Sequence, residues 1–366
     1  MNNTCGSPVR AALAGAVALC AGSAHADHLS TGLGYAQSAA INTESAVPLE
    51  RGGWSVGVRA ELLQNGELSD NRLVNLRVRD VQRDGVADED LHSIDYVLGG
   101  SLNLAYGFTE NLTVGVRLPY VKRNDIREPE EGHAHGGDPI VIHNVIEHGD
   151  SAGIGDITVS GMYRFFSGNS SDVAVLFGVK APTGETNQKG FRNEQFVKRV
   201  DTGVLPGAGD GHEHSGRRLE THQQPGSGSW DALLGLAWSR ALGPLNLDAS
   251  ALYTYVTEGS QETDLGDLLS YNLALSRALD RARPCDGCSW NLVLELNGEW
   301  RDKEDVSGER TDNSGGHLLY LSPGVRLSGP RGWSVAVSAG YPLVKDLNGD
   351  QSEPDYRLVG SLGYRF

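Results

Sequence analysis

Between Trp290 and Trp300 the chain alternates with the period of an extended strand. Trp290, Leu292, Leu294, Leu296 and Trp300 fall on one face, and Asn291, Val293, Glu295, Asn297 and Glu299 fall on the other. Successive side chains of a strand point to opposite sides, so this segment has one apolar and one largely polar surface. Ten steps of ~3.3 Å, tilted by ~40°, rise ~25 Å, the height of the apolar band on an outer-membrane barrel. The same spacing separates Tyr96 from Tyr106, with Leu98, Leu102 and Leu104 between them, and Tyr356 from Phe366.

Twelve segments of this kind run at about 54–64, 96–108, 112–122, 155–166, 172–180, 229–241, 245–256, 268–279, 290–302, 318–327, 333–341 and 356–366. Their apolar faces supply a candidate membrane girdle of Trp54, Tyr96, Tyr106, Trp290, Trp300, Trp333, Tyr356 and Phe366. A soluble sandwich has the same period, so alternation alone does not choose between them. The connections do. Thr109 to Asn111, Ser167 to Ser171, Gly243-Pro244 and Ser328 to Gly332 are short, whereas 65–95, 123–154, 181–228, 257–267, 303–317 and 342–355 are long. Short turns on one rim and long loops on the other are the pattern of an up-and-down barrel. The expected fold is all-β: a transmembrane antiparallel up-and-down barrel of twelve strands, with short periplasmic turns and long extracellular loops.

The first residues read as an export signal. Met1 to Arg10 is polar with one positive charge, Ala11 to Leu19 is apolar, and Ala24-His25-Ala26 has the small-residue pattern of a cleavage site. The expected organisation is a signal peptide at 1–26, a periplasmic or plug segment at 27–53 and the barrel at 54–366. No later stretch approaches the 18 or so apolar residues of a membrane-spanning helix. The formal charge of −16 argues against nucleic-acid binding. The expected location is the outer membrane, with its lipid and the barrel-assembly machinery as partners, the latter engaged through the C-terminal strand.

Further short stretches are Ile41-Asn-Thr-Glu-Ser-Ala-Val-Pro-Leu49, Leu104-Ala-Tyr-Gly-Phe108, Val116-Arg-Leu-Pro-Tyr120, Gly153-Ile-Gly-Asp-Ile157, Val179-Lys-Ala-Pro-Thr-Gly184, Pro225-Gly-Ser-Gly-Ser-Trp230, Leu296-Asn-Gly-Glu-Trp300 and Asp312-Asn-Ser-Gly-Gly316. With these stretches the chain resembles a family of outer-membrane transporter-type barrels related to the MetA-pathway phenol-degradation group. The resemblance implies a channel-like barrel and brings no catalytic residues with it.

The polar faces of the segments carry the candidate pore lining: Arg59, Glu61, Arg117, Asp231, Asp248, Glu295, Glu299, Arg326 and Arg357. Rows of both signs would either set a field across a narrow pore or pair with one another and fill it. The long loops hold His133, His135, Asp138, His143 and His148 after the third segment, and His212, His214 and His222 after the fifth. Imidazole is the commonest ligand for transition metals, which makes a divalent ion at the extracellular mouth a candidate ligand, although no cofactor is required. Cys285 and Cys288 read as a disulfide pinning a periplasmic turn.

Three functions are consistent with this reading. The first is a channel for passive passage of small polar or aromatic solutes. The second is a surface metal receptor that uses the barrel as an anchor. The third is a barrel-wall lipid hydrolase built on His92 with Ser93 or His317 with Ser322, for which no third partner is evident. The expectation is no enzyme.

Overall fold

The computed structural model describes residues 29–30, 33, 39–84, 91–129, 144–190, 198–199, 218–279 and 284–366. Residues 1–26, expected to form an export signal with its cleavage site, lie outside them. The strands are β1 (Trp54–Gly66), β2 (Tyr96–Gly107), β3 (Leu112–Pro129), β4 (Asn144–Ile154), β5 (Thr158–Gly168), β6 (Ser171–Lys180) and β7 (Asp231–Leu242). They continue as β8 (Leu245–Tyr255), β9 (Leu268–Leu279), β10 (Ser289–Arg301), β11 (Gly316–Ser328), β12 (Trp333–Leu347) and β13 (Glu353–Arg365). Each wall strand pairs antiparallel with its neighbours, and β1 pairs with both β2 and β13, which closes the ring. At the seam Val58 lies opposite Leu102 and Leu362, all apolar and outward, while Arg59 lies opposite Ser101 and Ser361. Closure leaves no unpaired edge in the wall, as a hydrocarbon environment requires.

Twelve wall positions are built from thirteen strands, because β3 is longer than its alternation indicates. Its first part pairs with β5, from Leu112 opposite Tyr163 to Arg117 opposite Thr158. Its second part pairs with β4, from Tyr120 opposite Ile154 to Pro129 opposite Val145. The connection 123–154, expected as a loop, is therefore partly a hairpin standing above the girdle. Lys122, Arg123, Asn124, Asp125, Arg127 and Glu128 are polar at odd and even positions alike, so no apolar period betrays this part of the strand. A bulge at Asp125, whose φ is 53°, interrupts the ladder there.

The outer surface explains why the ring sits in a membrane. Val58, Leu98, Leu102, Val116, Val159, Leu234, Leu236, Leu275, Leu292, Leu294, Val337 and Leu362 are all exposed and come from nine different wall strands. A continuous apolar belt of that extent is far beyond the patches that water-soluble monomers tolerate. Aromatic side chains border it. On the short-turn rim the Trp54 and Tyr106 rings lie 4.6 Å apart and Tyr364 and Phe366 lie 5.7 Å apart, centroid to centroid. Tyr96 and Tyr356 flank Gln64 on the opposite rim.

The connection 65–95, also expected as a loop, contains the helix α1 (Asp70–Asp84). Leu73, Val74 and Leu76 pack with Leu91 and Val145 into a small core on the long-loop side of the ring. Arg127 of β3 fastens the start of the helix through Asp70 at 2.7 Å and Glu67 at 3.2 Å. In the short-turn rim Cys285 and Cys288 are joined by a disulfide.

Candidate functional site

The inward face of the wall is polar and enclosed. Arg59, Glu61, Asp231, Asp248, Glu295, Arg326 and Arg357 are all buried, among serines and asparagines on every side. Arg117 and Glu299 share that face and are partly buried. Burying charges away from water is costly unless each finds partners, and here each partnership is visible. Arg59 meets Glu61 two residues along its own strand at 3.3 Å. Arg357 reaches Glu299 at 2.7 Å, with its guanidinium 4.2 Å from the centre of the Tyr320 ring. Asp231 pairs with Lys180, which also stands 3.8 Å from Asp156. Asp248 accepts a hydrogen bond from Ser239. Lys180 and Asp156 did not stand out in the sequence, because one ends a strand and the other lies in the three-residue link between β4 and β5.

Glu295 and Arg326 hold something else: the chain before β1. The backbone N–H groups of Ile41, Asn42 and Thr43 donate to the Glu295 carboxylate at 3.0 to 3.1 Å, and the Asn42 side-chain amide donates at 2.7 Å. Arg326 donates to the carbonyls of Ala39 and Ala40, and Arg59 to the Ile41 carbonyl and the Asn42 Oδ1. Farther along, Ala46 N–H donates to Ser239 on β7 and Leu49 N–H to Thr113 on β3. Residues 39–49 thus cross the lumen from one wall to another. The wall is shaped for them: a Cβ on Gly107 would lie 2.0 Å from the Glu50 carbonyl oxygen, and one on Gly324 would lie 2.6 Å from the Ile41 side chain. Only glycine leaves that space.

Two cavities flank the crossing. On the short-turn side is a vestibule of about 600 Å³, bordered by Ser45, Asp172, Arg240, Asp248, Arg326 and Arg365. On the long-loop side is a chamber of about 200 Å³, bordered by Arg59, Glu61, Arg117, Lys180, Asp231 and His222 among others.

Of the loop residues considered for metal, His133, His135, Asp138, His143, His212 and His214 lie outside the described residues. The two described histidines are far from forming one ligand set. His148 Nε2 lies 3.0 Å from Glu128 on the β3–β4 hairpin. His222 stacks on His92, ring centroids 4.5 Å apart, with Glu220 and Glu304 each 3.5 Å from its ring nitrogens. Among the described residues no group of three or more histidine, cysteine or carboxylate side chains is arranged to hold a metal ion. Burial alone would raise the Glu128 carboxyl, but hydrogen bonds from His148 and Gln223 and the nearby imidazoles outweigh it and hold the group at about 2.

The hydroxyls considered for lipid hydrolysis sit on the wrong side of the wall. Ser322 is 1% exposed and faces the lumen, whereas His317, an odd number of residues away on the same strand, bonds to the Tyr271 hydroxyl. Ser93 is fully buried.

Comparison with known proteins agrees with this architecture. The sequence profile of the family described as the MetA-pathway of phenol degradation matches residues 215–343, from before β7 into β12. No curated protein matches the sequence. An outer-membrane channel from Pseudomonas putida F1 superposes with a TM-score of 0.53 at 14% identity, over 89% of this chain and 100% of that one. The beta domain of the Bordetella autotransporter BrkA superposes with a TM-score of 0.43 at 14% identity, over 87% of this chain and 100% of that one. Over residues 215–343 the chain is thus similar to the family described as the MetA-pathway of phenol degradation, and over 89% of its length it shares the fold of a solved outer-membrane β-barrel.

Proposed function

We propose that the protein is an outer-membrane channel for small polar or aromatic solutes, in which the segment 39–49 acts as an internal constriction. The observation that carries this reading is the pair of cavities on the two sides of the crossing segment, both bordered by charged side chains. A barrel that served only to anchor surface loops would have no need of a hollow on each side of a removable strap. The strap is held by hydrogen bonds to a few side chains rather than by a sheet ladder, which suits a part that shifts without opening the wall.

Planar-bilayer recording on the refolded chain, beside a variant lacking residues 27–49, tests the reading. Discrete conductance steps in the intact protein, with larger steps in the shortened one, support it. A closed and folded barrel with no steps in either form overturns it.

A further inference from the structure

We propose that the outer chamber is a binding site for a small monocarboxylate with an apolar body, anchored by Arg117 and Arg301. Five basic side chains border this chamber, namely Arg59, Arg117, Arg123, Lys180 and Arg301, against three carboxylates, Glu61, Asp156 and Asp231. The local balance is thus positive in a chain whose formal charge is −16. A concave site with walls of low dielectric magnifies such a reversal of sign.

The carboxylates of the chamber are already engaged. Glu61 is held by Arg59 and by the Ser30 backbone N–H, and Asp156 and Asp231 by Lys180. Glu304, near Arg301, faces the His222 ring at 3.5 Å. Arg117 and Arg301 are held differently, by backbone carbonyls. Arg117 donates from Nη2 to the Ser30 carbonyl at 3.3 Å, and its Nε is enclosed with no hydrogen-bond partner among the described residues. Arg301 donates from Nη1 to the carbonyls of Leu265 and Gly266, and its other nitrogens meet no acceptor among the described residues. A guanidinium has five donors in a planar fork, so one or two carbonyls orient it and leave donors for a carboxylate. The two arginines stand on β3 and β10, six wall positions apart in a ring of twelve, and so face one another across the chamber. Among the polar groups the border also carries aliphatic side chains, Leu29, Leu33, Val121, Leu233, Val256 and Leu268. A cation against aliphatic walls selects a ligand with an acidic head and a compact hydrocarbon remainder.

The inference deepens the channel reading and rests on it only for transport. Equilibrium dialysis of the refolded full chain against hexanoate and its neutral isostere hexanamide tests the site itself. We expect saturable hexanoate binding at least tenfold tighter than hexanamide binding. Arg117→Gln is expected to weaken hexanoate at least tenfold and leave hexanamide unchanged, with Arg117→Lys intermediate because it keeps the charge without the fork. Heat-dependent electrophoretic migration verifies that each barrel is closed, and Arg301→Gln provides a second, independent variant. Equal binding of hexanoate and hexanamide by the wild type overturns the proposal, as does undiminished hexanoate binding in folded Arg117→Gln and Arg301→Gln. Hexanoate binding in a protein that gives no conductance or proteoliposome flux would sink the channel reading while upholding the site.

Discussion

Asn42 is tied to Glu295 twice, by its backbone N–H at 3.0 Å and by its side-chain amide at 2.7 Å, across 253 positions of sequence. The same carboxylate also accepts from Ile41 and Thr43. Glu295→Gln replaces one of two acceptor oxygens by a donor, so buried N–H groups lose their partner at about 1–3 kcal/mol each. Amide hydrogen exchange of residues 39–49 is therefore expected to quicken while exchange in the wall strands stays slow. Unchanged protection of that segment in Glu295→Gln would show that its seat does not depend on this carboxylate.

Arg357 is the most enclosed cation of the wall, 2% exposed, with Glu299 at 2.7 Å and the Tyr320 ring beneath it. Arg357→Met leaves Glu299 without its cation, a loss of about 3–5 kcal/mol for a buried pair. The double change Arg357→Met with Glu299→Gln removes both charges and is expected to cost less than the single one. Unfolding temperatures of the four forms, read by electrophoretic mobility after heating, give the coupling directly. Additive losses would mean that the two side chains do not act as a pair.

The wall was legible in the sequence because lipid acts on every second residue. Leu292, Leu294 and Leu296 are exposed in the fold, as their alternation requires, and Glu295 and Asn297 between them are buried. The lumen was legible as a face but not as a set of bonds. Nothing near Arg357 in sequence points to Glu299, which lies three wall strands away in the ring. The helix α1 escaped because the partners of its buried Leu73, Val74 and Leu76 are Leu91 and Val145, which lie outside the helix and, for Val145, on a distant strand. The path of residues 39–49 was hidden for the same reason. It is set by Glu295, Arg326 and the space above Gly324, all of them more than 250 residues downstream.

Glycines inside strands weaken them unless something occupies the space. At Gly298 that occupant is Tyr271, since a Cβ there would lie 2.0 Å from its ring. The ring also stacks on His317, centroids 6.0 Å apart. Gly298→Ala is expected to push the ring aside at about 1–3 kcal/mol, the usual cost of overpacking. Tyr271→Ala also destabilises, and the double variant should fall short of the sum, because the clash vanishes with the ring. Full additivity in thermal unfolding would refute the packing argument.

Glu128 links the β3–β4 hairpin to the loop that carries Gln223, and its carboxyl is held at about 2 against an ordinary 4.5. A carboxylate with a depressed pKa contributes its stabilisation above the unfolded value and loses it as the pH falls through the folded one. The part of the hairpin contact that depends on ionised Glu128 is thus expected to weaken as the pH falls between about pH 4.5 and pH 2. Glu128→Gln cannot ionise, so this acid limb should flatten in the variant, while the variant is less stable than the wild type at neutral pH. Thermal midpoints measured from pH 8 down to pH 2 on both proteins decide the matter. An acid limb equally steep in Glu128→Gln would place the titration on another group.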